Sequence, residues 1–156
     1  MRRRFVAVLS ASLLLISVGC SGSAGPADGK LRVVTTTGMI ADAVRQVGGE
    51  HVVVDPLMGP GVDPHTYTPS AGDLNKLAAA RVVFFNGLHL EGKMTDVLET
   101  DGRGGTRSVA VTRSLDPTKD LRRVDAGELA HDPHVWFDVK LWMRCVEVVR
   151  DELAAA

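Results

Sequence analysis

The sequence predicts an α/β fold in which a four-stranded parallel sheet is flanked by helices. Four β-branched or apolar segments alternate with segments whose apolar residues follow helical spacing, a pattern typical of parallel strands joined by crossover helices. The run at residues 81–86 is almost continuously apolar, as expected of a strand that is covered on both faces. With 156 residues and 45% hydrophobic content, the chain is long enough for one modest globular domain.

The strands are predicted where β-branched and apolar residues concentrate. These segments are residues 31–37, 51–57, 81–86 and 107–112. Residues 113–133 are polar and are expected to be irregular. Since open parallel sheets bind ligands at the carboxyl ends of their strands, any site should lie at that edge.

The helices are predicted from apolar spacing and from the residues at their ends. The first helix stops at Gly48 and Gly49, the second opens with a capping box of Ser70 and Asp73, and the last begins near Asp138. A short helix is expected in between. The residues expected to face the core are Ile40, Ala43, Val44 and Val47; Leu74, Leu77 and Ala78; Met94, Val97 and Leu98; and Trp142, Val146, Val149 and Leu153.

The N-terminus predicts an export signal. Three arginines at residues 2–4 precede an apolar stretch at residues 5–18, which is too short for a comfortable membrane span and typical of a signal peptide. We therefore expect residues 1–19 to be a signal peptide and the mature chain to be exported.

Cys20 is the predicted lipid attachment site. It follows Gly19 at the end of the apolar stretch, as in a bacterial lipobox, although Ser17 stands where leucine is usual. The alternative is an ordinary cleaved signal with a chance cysteine. Residues 20–30 are then a lipid-anchored flexible tether, and the protein is expected on the outer face of the cytoplasmic membrane or in the periplasm.

Charge and cysteine content exclude two further classes of protein. The net charge is −1, or about −4 without the three leader arginines (−1 − 3), so no nucleic-acid partner is expected. Cys145 is the other cysteine and has no partner for a disulfide within the mature chain. It lies on the apolar face of the last predicted helix and is expected to be a buried packing residue.

Two Asp-Pro-His units, at residues 63–65 and 132–134, are the candidate functional motifs. They contain two of the five histidines of the chain, and neutral imidazole is a ligand for zinc, manganese and iron. Each proline stiffens its loop, and each aspartate is placed to bond a loop amide or the far ring nitrogen. The topology brings both loops to one sheet edge. From the residues alone, two solvated loop histidines remain an equally good interpretation.

Five motifs that occur in a fixed order favour the interpretation of the two histidines as metal ligands. They are residues 33–37, 47–49, 61–67, 86–91 and 132–138. Together they resemble the substrate-binding lipoproteins of zinc/manganese ABC importers, and most of all the TroA-like branch. The resemblance covers about residues 31–153.

The resemblance implies two α/β lobes joined by a long helix, with the metal bound between them. It assigns His65 and His134 as the metal ligands of the N-terminal lobe, with Asp63, Asp132 and Tyr67 as supporting residues. Residues 31–137 would form this lobe and residues 138–156 the start of the linking helix. The second lobe, which supplies a His or Glu and an Asp, would be absent, so the chain is expected to be truncated and to bind metal weakly.

The implied function is capture of zinc or manganese, with iron possible, for an ABC permease and its ATPase. No enzymatic activity is expected. A surface adhesion or interaction lipoprotein without a transport role is the alternative, and a metallohydrolase is disfavoured because no third ligand or general-base glutamate has a recognised spacing. His51 and His89 are interpreted as structural or surface residues, and His131 as an incidental third donor at most. Glu91 and Asp138 are expected to cap or brace their helices, and a supporting role behind the metal ligands is the alternative.

Overall fold

The computed structural model describes residues 29–99, 106–126 and 129–156. In chain order the elements are β1 (Leu31–Thr35), α1 (Gly38–Gly48), β2 (Val52–Pro56), α2 (Ala71–Ala79), β3 (Val82–Phe85), α3 (Thr95–Leu98), β4 (Arg107–Ala110), β5 (Arg123–Ala126), β6 (Leu129–His131) and α4 (Val139–Ala155). The predicted signal peptide, Cys20 and most of the tether lie outside the described residues. No helix within the described ranges is long and apolar enough to cross a membrane.

The predicted four-stranded parallel sheet is confirmed. Its order is β2-β1-β3-β4, and every neighbouring pair is parallel. The chain leaves β1 towards one side of the sheet for β2 and crosses back to the other side for β3. The carboxyl ends of β1 and β3 therefore form the switch point at which sheets of this kind bind ligands.

Alternate strand residues build a core on each face of the sheet. Val33 and Phe84 point to the face covered by α1 and α4. Val34 and Phe85 point to the opposite face, which α2 and α3 cover through Leu77 and neighbouring residues. All four strand residues are buried, as expected of a sheet sandwiched between helices.

The first helix ends and the second begins where predicted, but both helices bury a narrower stripe than expected. Gly49, at the end of α1, has a φ of 53° that suits glycine, and the capping box of Ser70 and Asp73 is present at α2. Val47 and Leu74 were expected in the core, yet they are 37% and 43% exposed. Ala78, also expected inward, is exposed.

These residues are exposed because the helices make only shallow contact with the sheet. In α2 only Asp73 and Leu77 are buried. The Asp73 side chain turns inward to complete the cap. In α3 the expected Leu98 is buried together with Met94, just before the helix, whereas Val97 is 38% exposed.

Helix α4 starts where predicted, because the Asp138 side chain accepts the N–H groups of Lys140 and Leu141. Its buried face is rotated relative to the prediction and includes Cys145, Val149 and Glu152. The expected Trp142 and Leu153 are only partly buried against this face, and the expected Val146 is partly exposed.

The rotation has an electrostatic reason. Glu152 is 3% exposed and forms ion pairs with Arg107 of β4 and with Arg113. Arg144 donates to Asp120 at 2.6 Å. These charged contacts join α4 to β4 and to the segment that follows it.

The described part of residues 113–133 contains regular elements that were not predicted. The fourth strand ends at Ala110 instead of residue 112, because a 3-10 turn runs from Val111 to Ser114. Further on, β5 and β6 form a two-stranded antiparallel hairpin. This hairpin leads directly into the second Asp-Pro-His motif.

Candidate metal centre

The loop between β2 and α2 presents His65 from a tight turn. Asp63 accepts the backbone N–H of His65 at 2.9 Å through Oδ1 and the Thr66 hydroxyl at 3.2 Å through Oδ2. Its carbonyl accepts the N–H of Tyr67 at 3.1 Å. An aspartate that closes its own turn in this way, next to a proline with fixed φ, holds the following residue in one place.

His134 follows β6 and is held more tightly. The Oδ1 atom of Asp132 accepts the backbone N–H of His134 at 3.1 Å and lies 2.6 Å from its ring Nδ1. The hydrogen bonds from His134 lower the pKa of the Asp132 carboxyl. Because an ionised carboxylate only accepts, Nδ1 carries the proton and the neutral ring has its lone pair on Nε2.

The two rings meet at the carboxyl edge of the sheet. The Nε2 atoms of His65 and His134 are 3.3 Å apart, and the ring centroids are 5.3 Å apart with a tilt of 56°. Two nitrogens bound at about 2.0–2.1 Å to a tetrahedral zinc ion lie about 3.3 Å from each other. The separation therefore equals one edge of a tetrahedral coordination shell.

Tyr67 does not join the pair. Its hydroxyl donates to Asp73 at 2.8 Å, so it contributes to the cap of α2. Burial raises the pKa of the Tyr67 hydroxyl, and the hydrogen bond to Asp73 and the charge of Asp73 raise it further. Asp63 and Asp132 each form hydrogen bonds with the histidine of their own motif. Within the described ranges no group of three or more His, Cys, Asp or Glu side chains is placed to hold a metal ion, so His131 does not complete a set of three. Cys20, the predicted lipid site, lies outside the described residues.

A buried polar network behind the histidines was largely missed by sequence reasoning. The Glu91 carboxylate accepts the hydroxyl of Thr36 at 2.7 Å and the backbone N–H groups of Asn86 and Gly87 at 2.6 and 3.2 Å. Asn86 donates through Nδ2 to the carbonyl of Pro133 at 3.1 Å. Glu91 had been expected to cap or brace a helix, with a supporting role at the site left open. The signal for such a role was a cluster of polar residues directly after two buried strands.

Glu91 is unusual because it is 1% exposed. Burial raises the pKa of its carboxyl, against the lowering effect of the N–H and hydroxyl donors around it. A buried carboxylate with three donors is a rigid support. It lies at the switch point between β1 and β3.

The surroundings of His134 are aromatic and open. Trp136 lies edge-on to the His134 ring, with centroids 5.1 Å apart. An open cleft of about 290 Å³ runs beside His134 and Asp132. Phe137 is 80% exposed at its rim, so the candidate centre faces solvent.

The family model for the zinc-uptake complex component A, periplasmic, matches residues 33–156. The manganese-binding lipoprotein MntA of Bacillus subtilis (strain 168) is 45% identical over 151 residues, which is 96% of this chain and 48% of that protein. The zinc-binding protein TroA of Treponema pallidum (strain Nichols) is 49% identical over 127 residues, 81% of this chain and 40% of that protein.

Solved structures agree with the sequence matches. The periplasmic zinc-binding protein TroA from Treponema pallidum superimposes with a TM-score of 0.73 at 47% identity, over 81% of this chain and 44% of that one. A manganese-bound periplasmic metal-binding protein from Candidatus Liberibacter asiaticus gives 0.70 at 27% identity, over 81% and 46%. The chain thus spans less than half the length of these relatives.

Proposed function

The chain belongs to the zinc-uptake complex component A periplasmic family, and on this premise we propose that it captures a divalent transition metal for an ABC importer. The proposed ligands are His65 and His134. The observation that carries the proposal is the 3.3 Å separation of their Nε2 atoms. Zinc or manganese is the proposed cargo, with iron possible, and similarity to relatives named as manganese-binding and zinc-binding proteins supports that choice.

The chemistry of the proposed capture differs between the two ligands. His134 presents an Nε2 lone pair because Asp132 binds the Nδ1–H group. In the metal-free protein the 3.3 Å contact suits a hydrogen bond from the Nε2–H of His65 to Nε2 of His134. Binding of a metal ion through Nε2 then requires the neutral His65 ring to change tautomer, with its proton transferred from Nε2 to Nδ1. Capture breaks no covalent bond apart from this proton transfer.

The organisation of the whole protein is part of the proposal. We take residues 31–137 as the metal-binding lobe and residues 138–156 as the start of a helix that links it to a second lobe. Lipidation at Cys20 would hold the protein at the outer face of the cytoplasmic membrane, the membrane that would also carry its permease and ATPase. The remaining coordination positions are filled by water or by donors outside the described residues. A surface adhesion or interaction role without transport remains the alternative prediction.

Isothermal titration calorimetry with zinc and manganese tests the ligand assignment. We expect His65→Ala and His134→Ala each to lower affinity at least about 100-fold, since loss of a mere supporting group already costs 10–100-fold. His51→Ala removes an exposed histidine in the turn before β2 and is the matched control. Unchanged zinc affinity in both ligand variants would disprove the assignment.

The same titration tests how many protein ligands contribute. With two imidazoles among the described residues, binding by the unmodified chain should be weak, and His131→Ala should not change it. Nanomolar affinity that is lost in His65→Ala would show that further donors complete the site.

A further inference from the structure

The loop at residues 86–92, between β3 and the turn before α3, touches both ligand segments. At its start, the buried Asn86 side chain donates to the carbonyl of Pro133, directly before His134, at 3.1 Å. At its end, Gly92 packs so closely that an added Cβ would lie 2.8 Å from the carbonyl oxygen of His65. The loop thus contacts the main chain at or next to each histidine.

The loop is held in a conformation that it would not adopt alone. Gly87, Leu88 and His89 have φ angles of 83°, 55° and 59°, and two of these residues carry side chains that disfavour the left-handed region. Such backbone persists only where the surroundings fix it. Here the surroundings are the Glu91 carboxylate, which binds the N–H groups of Asn86 and Gly87 and so closes the loop on itself.

Glu91 also ties the loop to the sheet. Its Oε1 atom accepts the hydroxyl of Thr36, 55 residues earlier at the end of β1, at 2.7 Å. Both Thr36 and Glu91 are nearly inaccessible to solvent, so this bond is not weakened by exchange with water. A continuous path of contacts therefore runs from the central strand, through Glu91, to Pro133 and His65.

We propose that the loop at residues 86–92 is a positioning element that sets the spacing of His65 and His134, with Glu91 as the residue that fixes its shape. This inference rests on the proposed metal-binding function. It assigns Asn86, Glu91 and Gly92 a role in metal affinity although none of them contacts the metal. The partner class is unchanged: a divalent transition metal that needs two imidazoles at one coordination edge.

A pair of glycine variants tests the proposal. Gly92→Ala pushes on the His65 carbonyl, whereas Gly59→Ala, in the loop that carries His65, meets no atom within 4 Å. Both glycines have φ angles open to alanine. We expect Gly92→Ala to lower zinc affinity at least tenfold relative to Gly59→Ala, with cooperative thermal unfolding retained in both. Equal zinc affinity in the two variants would overturn the proposal.

A pair of threonine variants tests the link to the sheet and serves if Gly92→Ala does not fold. Thr36→Val removes the hydroxyl bound to Glu91, while Thr35→Val removes a buried hydroxyl that has no hydrogen-bond partner among the described residues. We expect a several-fold loss of zinc affinity in Thr36→Val only. Equal affinity in these two variants would overturn the role of Glu91.

A metal-free measurement separates this proposal from the function on which it rests. In the protein without metal, NMR should show a nuclear Overhauser effect between the Hε1 protons of His65 and His134. We expect it to persist in Gly59→Ala and Thr35→Val and to weaken in Gly92→Ala and Thr36→Val. If the unmodified chain binds no zinc but this pattern holds, the proposed function fails and the positioning role stands. If the effect is the same in all variants, the positioning role fails.

Discussion

The two Asp-Pro-His motifs share one five-residue pattern but use it differently. Each runs Asp-Pro-His, one further residue, and an aromatic residue, at residues 63–67 and 132–136. In the first, Asp63 bonds only the backbone and a hydroxyl of its turn, and Tyr67 turns away to Asp73. In the second, the aspartate also bonds the ligand ring, and the aromatic ring packs edge-on against it.

The difference shows that two loops of similar sequence are not equally preorganised for metal binding. In the second motif the ring orientation and the tautomer are set by contacts present without metal. In the first motif the contacts fix where the histidine is presented but leave the ring proton free to move. His134 is therefore the fixed member of the proposed pair and His65 the adjustable one.

Among the variants that compare the two motifs and keep both histidines, the largest effect is expected from removing Asp132. Asp132→Ala should lower zinc affinity about 10–100-fold, because it releases both the tautomer and the orientation of His134. Asp63→Ala should cost less than about tenfold, since it loosens a turn but not the ring. Calorimetry measures both. An equal or larger loss in Asp63→Ala would remove the distinction between the motifs.

Substitution of the aromatic residue of each motif should separate effects on the free energy of unfolding from effects on zinc affinity. Tyr67→Phe loses the hydroxyl bond to Asp73 and should lower the free energy of unfolding by about 1 kcal/mol without changing zinc affinity. Trp136→Ala loses the edge contact with His134, worth about 0.5–1.5 kcal/mol, and should weaken zinc binding about 2–10-fold. Urea denaturation and calorimetry give the two quantities. Weaker zinc binding by Tyr67→Phe would show that this hydroxyl does reach the site.

The smallest expected effect concerns how the free energy of unfolding depends on pH. It comes from Glu91, which supports both motifs. Burial raises the pKa of its carboxyl above the ordinary value of 4.5. Between that value and the raised one, the folded protein binds more protons than the unfolded chain, so the free energy of unfolding falls as pH rises. Glu91→Gln cannot titrate and should show a shallower fall. Denaturation at several pH values between 4 and 7 checks this, and parallel curves would contradict it.

Much of the fold was predictable because its signals are local. The strands, the glycine stop of α1, the Ser70–Asp73 capping box and the start of α4 depend on short stretches of sequence, and all are present. The β5–β6 hairpin was not predicted, because its strands are only four and three residues long, too short for an alternating pattern to be recognised. The rotated face of α4 was missed because it depends on ion pairs between Glu152 and residues 39 and 45 positions earlier.

At the candidate site, sequence reasoning gave the residues and the structure gave their arrangement. Topology alone predicted that His65 and His134 approach the same sheet edge. It did not predict the Thr36–Glu91–Asn86 network, because a buried carboxylate is recognised only when its distant donors are known. The resemblance listed Tyr67 as a supporting residue, and in the structure its hydroxyl donates to Asp73 in the cap of α2.

The buried Cys145 thiol has a consequence for the competition between metal-binding groups. It is 1% exposed, and burial raises its pKa to about 11. A thiolate binds soft metals strongly and oxidises readily, but a protonated, enclosed thiol does neither. Among the described residues this is the single free thiol, so no thiolate in this part of the chain competes for a metal ion. Exchange of a bound metal ion would then depend on imidazole nitrogens, which release metal ions more easily than thiolates do.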